Sequence, residues 1–128
     1  LTGIKILVVE DNEDSRSLLT FLLEQENASV TATASASEAL SALSQSLPDV
    51  LISDISMPEV DGYTLIRQIR ELPSRGGQIP AIAMTAYAEE SDRAAAISAG
   101  FQRHITKPVN VDDLIEAISS LVVRGSNS

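Results

Sequence analysis

Ile4-Lys5-Ile6-Leu7-Val8-Val9 is a short run rich in β-branched residues, and it leads directly into Glu10-Asp11-Asn12. An apolar run this brief and this continuous reads as a strand buried on both faces, ended by the acids. Beyond it, Leu18, Leu19, Leu22 and Leu23 recur at helical spacing within Glu13 to Glu26. Ala28 to Ala32 is a small-residue strand. Ser35, with Glu38 three residues on, has capping-box spacing, and Leu40, Leu43 and Leu47 mark the helix behind it, which ends at Pro48. The motif then repeats. Val50-Leu51-Ile52-Ser53 is a strand closed by Asp54; Pro58 and Asp61-Gly62 signal a loop; Leu65, Ile66, Ile69 and Leu72 form a helical stripe stopped by Pro73. After a loose loop over 74–77, Ala81 to Met84 is a fourth strand, closed by Thr85. Ala88 to Ala99 is a helix poor in large apolar residues, ended by Gly100, a common residue just past a helix. Phe101 to Thr106 is a less apolar fifth strand. Asn110 with Asp113 caps a last helix with a stripe of Leu114, Ile115, Ile118, Leu121 and Val122.

Five repeats of strand then helix predict an α/β fold, a parallel sheet covered by helices on both faces. The length of 128 residues suits a single domain over 1–128, with a core over about 4–123 and a flexible tail at 124–128. Hydrophobic residues make up 44% and aromatics 3%, so the core is aliphatic. The absence of cysteine excludes disulfides and thiolate metal sites. A net charge of −9 disfavours nucleic-acid phosphates and suits a hard cation or a basic partner. No apolar run approaches the ~20 residues of a membrane span, and the N-terminus lacks a signal-peptide pattern. A cytoplasmic setting is expected. The first residue is Leu1, not methionine, which fits a domain cut from a longer protein and, less well, a processed or trimmed chain.

Ligands of open parallel sheets bind at the carboxyl ends of the strands, where strand order reverses. The residues just past each strand therefore matter most. Glu10, Asp11 and Asn12 come after the first, Asp54 after the third, Thr85 after the fourth, and Lys107 and Pro108 after the fifth. Carboxylates gathered at one rim repel one another and invite a divalent cation, and oxygen donors suit Mg²⁺. Aspartate can be a nucleophile toward phosphorus. Lys107 supplies positive charge for phosphoryl oxygens, and Thr85 a hydroxyl donor. Taken singly, Asp11 fits helix capping as well as metal ligation, Asp54 fits a turn, and Lys107 a solvated charge. The ordered set carries the chemistry.

Val8-Val9-Glu10-Asp11-Asn12, Asp54-Ile55-Ser56-Met57-Pro58 with Asp61-Gly62, Met84-Thr85-Ala86 and Lys107-Pro108, in this order, resemble a two-component response-regulator receiver domain. The resemblance spans about Ile4 to Val123. It implies a flavodoxin-like (βα)5 sandwich with strand order 2-1-3-4-5. It implies that Asp54 accepts a phosphoryl group from the phosphohistidine of a histidine kinase or phosphotransfer protein. Asp11, Asp54 and the Ser56 backbone carbonyl would hold Mg²⁺, with Glu10 acting mostly through water; Lys107 and Thr85 would hold the phosphoryl group. The Lys107-Pro108 bond is commonly cis in the family. The isolated domain would not be an enzyme beyond slow self-phosphorylation and self-dephosphorylation. Where the family often has Tyr or Phe as a switch partner of Thr85, this sequence has His104, which fits a half-buried strand residue equally well. Tyr87 lies nearby, and surface packing explains it more simply. The stretches Ala86-Tyr87-Ala88, Gly100 to His104 and Pro108-Val109 resemble receivers of hybrid histidine kinases. The expected output face is the fourth helix, fifth strand and fifth helix.

Three other functions fit less well. A flavin mononucleotide carrier needs a hydroxyl- and glycine-rich first loop, and Glu10-Asp11 would repel its phosphate. An aspartate-nucleophile phosphatase usually places its nucleophile after the first strand, with a second acid two residues on. A receiver degenerated to a docking module lacks an acid, the acceptor or the lysine.

Overall fold

A computed structural model describes residues 2–55, 61–72, 75–86 and 90–126. Ser56, Met57, Pro58, Pro73, Ser74, Tyr87, Ala88 and residues 127–128 of the expected tail lie outside the described residues. The elements are β1 (Lys5–Val9), α1 (Glu13–Gln25), β2 (Ser29–Thr33), α2 (Ala36–Gln45), β3 (Val50–Asp54), α3 (Gly62–Arg70), a 3-10 turn (Arg75–Gln78), β4 (Ala81–Thr85), α4 (Glu90–Ala99), β5 (Arg103–Thr106) and α5 (Val111–Ser126). All strand pairs are parallel, in the order β2-β1-β3-β4-β5. This is the flavodoxin-like arrangement that the family resemblance implies.

The pleat divides the apolar residues between two cores. Leu7, Val9, Leu51, Ala81 and Ala83 face α2, α3 and α4, meeting Leu43, Leu65, Ile66, Ile69 and Ala96. Ile6, Val8, Ile52, Ile82 and Met84 face α1 and α5, meeting Leu19, Leu23, Leu114 and Ile118. Every residue of β3 and β4 is buried, which accounts for their unbroken apolar runs. The edge strands β2 and β5 bury less and carry more polar residues.

Several boundaries differ from the sequence expectation for local reasons. α2 stops at Gln45, three residues before Pro48, with Ser46 already extended. Pro48 bars the residue before it from helical geometry, so the chain leaves the helix early. The capping at Ser35 is shifted: Ser35 Oγ accepts from Glu38 N at 3.2 Å, but Glu38 Oε1 accepts from Ala34 N at 3.3 Å. Asp61 is an N-cap as well as a loop residue, accepting from Thr64 N at 2.9 Å. The expected tail is helical through Ser126; Gly125 costs a helix only about 1 kcal/mol and does not end it. Helical spacing puts Leu18 in the apolar stripe of α1, yet it is 60% exposed, and Phe21 is 58% exposed. The buried line of α1 is the narrower Leu19–Leu23 pair.

Arg70 ties the lower end of the sheet together. It donates to Gly77 O, Ile79 O, Gly100 O and Gln102 Oε1 at 2.6–3.2 Å, joining α3, the 3-10 turn and the ends of α4 and β5. Burial lowers its pKa, and the carbonyl oxygens offset that cost.

Candidate metal and phosphoryl site

The register of the sheet builds the site. Val9 pairs with Ser53, Asp54 with Met84, and Thr85 with Thr106. The residues after β1 and β5 and at the ends of β3 and β4 therefore share one rim. Glu10, Asp54 and Thr85 are buried there, at 2%, 3% and 2% exposure, while Asp11 is exposed. One carboxylate oxygen from each of Glu10, Asp11 and Asp54 lies within 4.8 Å of the others. A cluster of hard oxygen donors of this size fits Mg²⁺. Ser56, the fourth expected ligand, lies outside the described residues.

Capping of α1 falls to Asn12, not to Asp11. Asn12 Oδ1 accepts from Ser15 N at 2.9 Å, and Asn12 N donates to Glu10 Oε1 at 3.2 Å. Arg16 adds a contact that the sequence does not single out. Its Nη1 donates to Glu10 O at 2.9 Å and reaches Asp11 O at 3.5 Å, steadying the acidic turn from the first turns of α1. The only sequence signal for it is a cation five residues after an acid pair.

Lys107 Nζ stands 3.1 Å from Glu10 Oε2 and 3.3 Å from Asp54 Oδ1. Burial pushes its pKa down, but the hydrogen bond to Glu10 and the charges of Asp54 and Glu10 outweigh it, and the net direction is up. The ammonium is thus firmly charged. Lys107 N donates to Thr85 O at 2.7 Å, which fixes these two site residues to each other. The Lys107-Pro108 peptide is cis, as the resemblance implies.

His104 pairs with Ala83, so it lies on the α4 face of the sheet. Its Nε2 is buried without a hydrogen-bond partner among the described residues. Burial lowers its pKa, Asp92 on α4 opposes this and Arg93 adds to it. Beside Lys107, a cleft of about 470 Å³ opens between α1 and the turn after β5, lined by Leu18, Leu19, Leu22, Pro108 and Val109 together with Glu10. Among the described residues, no helix is long and apolar enough to cross a membrane.

A family model for the response regulator receiver domain matches residues 6–119. An uncharacterised 14.6 kDa protein from the sodA1 3′ region of Leptolyngbya boryana is 52% identical over 92% of this chain and 89% of its own length. Hybrid signal transduction histidine kinase D of Dictyostelium discoideum is 33% identical over 95% of this chain, which spans 8% of that much longer protein. The receiver domain of the sensor histidine kinase PA1611 of Pseudomonas aeruginosa PAO1, solved with magnesium coordinated in its active-site cleft, superposes with a TM-score of 0.86 at 29% identity, covering 95% of this chain and 99% of that one. The acidic cluster Glu10, Asp11 and Asp54 resembles the magnesium site of receivers. Fold, strand-end residues and relatives agree, and the chain belongs to the response regulator receiver domain family.

Proposed function

We propose that Asp54 accepts a phosphoryl group from a phosphohistidine on a histidine kinase or phosphotransfer protein. The observation that carries this reading is the Lys107 ammonium held 3.3 Å from the buried Asp54 carboxylate, at the mouth of a three-carboxylate cluster. An Asp54 oxygen bonds to phosphorus while the P–N bond of the donor breaks, its electron pair leaving on the imidazole. Phosphoryl transfer depends mainly on positioning and on neutralising the equatorial oxygens. Lys107 supplies charge to those oxygens, and Thr85 supplies a hydroxyl donor. Glu10, Asp11 and Asp54, with the Ser56 carbonyl, would hold Mg²⁺. When bound, the ion adds positive charge at the phosphoryl oxygens and relieves the repulsion among the carboxylates.

The donor's imidazole must reach Asp54, so its protein must cover the rim. The apolar cleft along Leu18, Leu22 and Val109 adjoins Glu10 and Lys107 and offers that protein a surface. After transfer, the Thr85 hydroxyl turns to the new phosphoryl group. The backbone bond from Lys107 to Thr85 links this movement to β5, and α4 buries only Ala96 and Ala99 among its described side chains, so it is lightly held. The result is a two-state face of α4, β5 and α5.

Intact mass after incubation with Mg²⁺ and a small acyl phosphate tests the reading. One phosphoryl group is expected on the wild type and none after chelation or in Asp54→Asn. A gain of the same mass in Asp54→Asn would overturn the assignment.

A further inference from the structure

We infer that Gly62 is a positioning residue for the phosphoryl acceptor: the missing side chain at the start of α3 sets where Asp54 stands. This rests on the reading of Asp54 as acceptor. A Cβ at Gly62 would lie 2.6 Å from the Asp54 carbonyl oxygen and 2.8 Å from Ile55 Cα. Contacts under 3.0 Å force something to shift, and here both neighbours are backbone. They belong to the peptide unit that leaves the acceptor. That unit is held on other sides as well. Ile55 N donates to Met84 O at 2.9 Å and Ser53 Oγ donates to Asp54 O at 3.0 Å, while Gly62 N itself donates to the next carbonyl, Ile55 O, at 2.9 Å. The first turn of α3 is itself fixed by the Asp61 cap on Thr64 N.

The helix therefore presses its bare Cα against the acceptor's own carbonyl. Bringing a Cβ from 2.6 Å to ordinary contact at 3.4 Å requires about 0.8 Å of movement. Asp54 sits at the end of its strand, and its carboxylate must meet both Lys107 and the other two acids. A displacement of that size at a reacting group costs on the order of a hundredfold in rate. Glycine's conformational freedom is not the reason for its use here, because Gly62 is not among the glycines with positive φ. The reason is volume.

Gly77 supplies the control. A Cβ there would lie 2.7 Å from Leu72 O, a similar clash at the opposite end of the molecule from the strand-end site. The test compares Gly62→Ala and Gly77→Ala with the wild type in three readouts: melting temperature, the rise in melting temperature on adding Mg²⁺, and phosphoryl uptake from saturating acyl phosphate. Both variants should melt lower. Only Gly62→Ala should lose most of the Mg²⁺-induced rise and take up phosphoryl about tenfold to a hundredfold more slowly. If folded Gly62→Ala keeps the wild-type rise and rate, or if Gly77→Ala loses them equally, the inference is overturned. If Gly62→Ala does not fold, Asp61→Ala replaces it. Loosening the first turn should then slow uptake while Asp61→Asn, which keeps a cap acceptor, restores it; wild-type behaviour in Asp61→Ala would overturn the inference. A wild type that takes up no phosphoryl group while showing the Mg²⁺-induced rise would instead refute the acceptor reading.

Discussion

Lys107 is the cation that makes a buried acidic rim tolerable. Its partners Glu10 and Asp54 are almost wholly buried, whereas its own side chain is 30% exposed. Lys107→Ala removes the ammonium from two buried carboxylates, at a cost of about 2 kcal/mol, between the values for exposed and fully buried pairs. Chemical denaturation should show this loss, and Mg²⁺ should recover more stability in Lys107→Ala than in the wild type. Because folding raises the Lys107 pKa, its contribution is complete below the ordinary value of 10.5 and fades only as pH climbs through the higher folded value. His104 behaves in the opposite sense. Burial lowers its pKa below 6.5, so the folded state binds fewer protons than the unfolded chain as pH falls through that value. Stability is full above 6.5 and declines below it. Melting curves on either side of this pH should show the decline in the wild type and a smaller one in His104→Phe. Glu10, Asp54, Thr85 and Lys107 are legible in the sequence because each sits at a strand end, where order along the chain translates into place. Arg16 is not, because its role depends on which backbone carbonyls its guanidinium meets.

At the scale of elements, α1 divides its labour. Asn12 caps it, leaving Asp11 in the acidic cluster; Leu19 and Leu23 pack it; Leu18 and Phe21 face outward. Helical spacing alone groups all the leucines as one stripe, since periodicity reports which residues share a face and not how wide the buried part is. Leu18 is 60% exposed, so Leu18→Ala should alter stability by no more than about 0.5 kcal/mol. It should nonetheless slow transfer from a phosphohistidine protein while leaving uptake from a small acyl phosphate unchanged. Equal rates with the protein donor would remove the cleft from partner docking. The 3-10 turn and the Arg70 contacts are invisible in the sequence for a related reason. They satisfy carbonyls at helix and strand ends, and no pattern of hydrophobic residues encodes that.

The whole molecule is two aliphatic cores on either side of one parallel sheet, with an acidic rim on the carboxyl edge. The alternation of strand and helix is legible from Ile4 to Val122 by pattern alone, whereas the strand order is legible only through family resemblance, because periodicity does not say which strands are neighbours. A net charge of −9 suits the cation proposed among the carboxylates of that rim. Everything proposed for this domain turns on one side chain, Asp54, carrying the phosphoryl group. Borohydride reduction of the phosphorylated protein, followed by peptide mass mapping, locates an acyl phosphate directly, because hydride converts that carboxyl to an alcohol. Homoserine should replace aspartate at position 54 and at no other acid. Homoserine at position 11, or reduction of Glu10, with Asp54 intact would contradict the assignment.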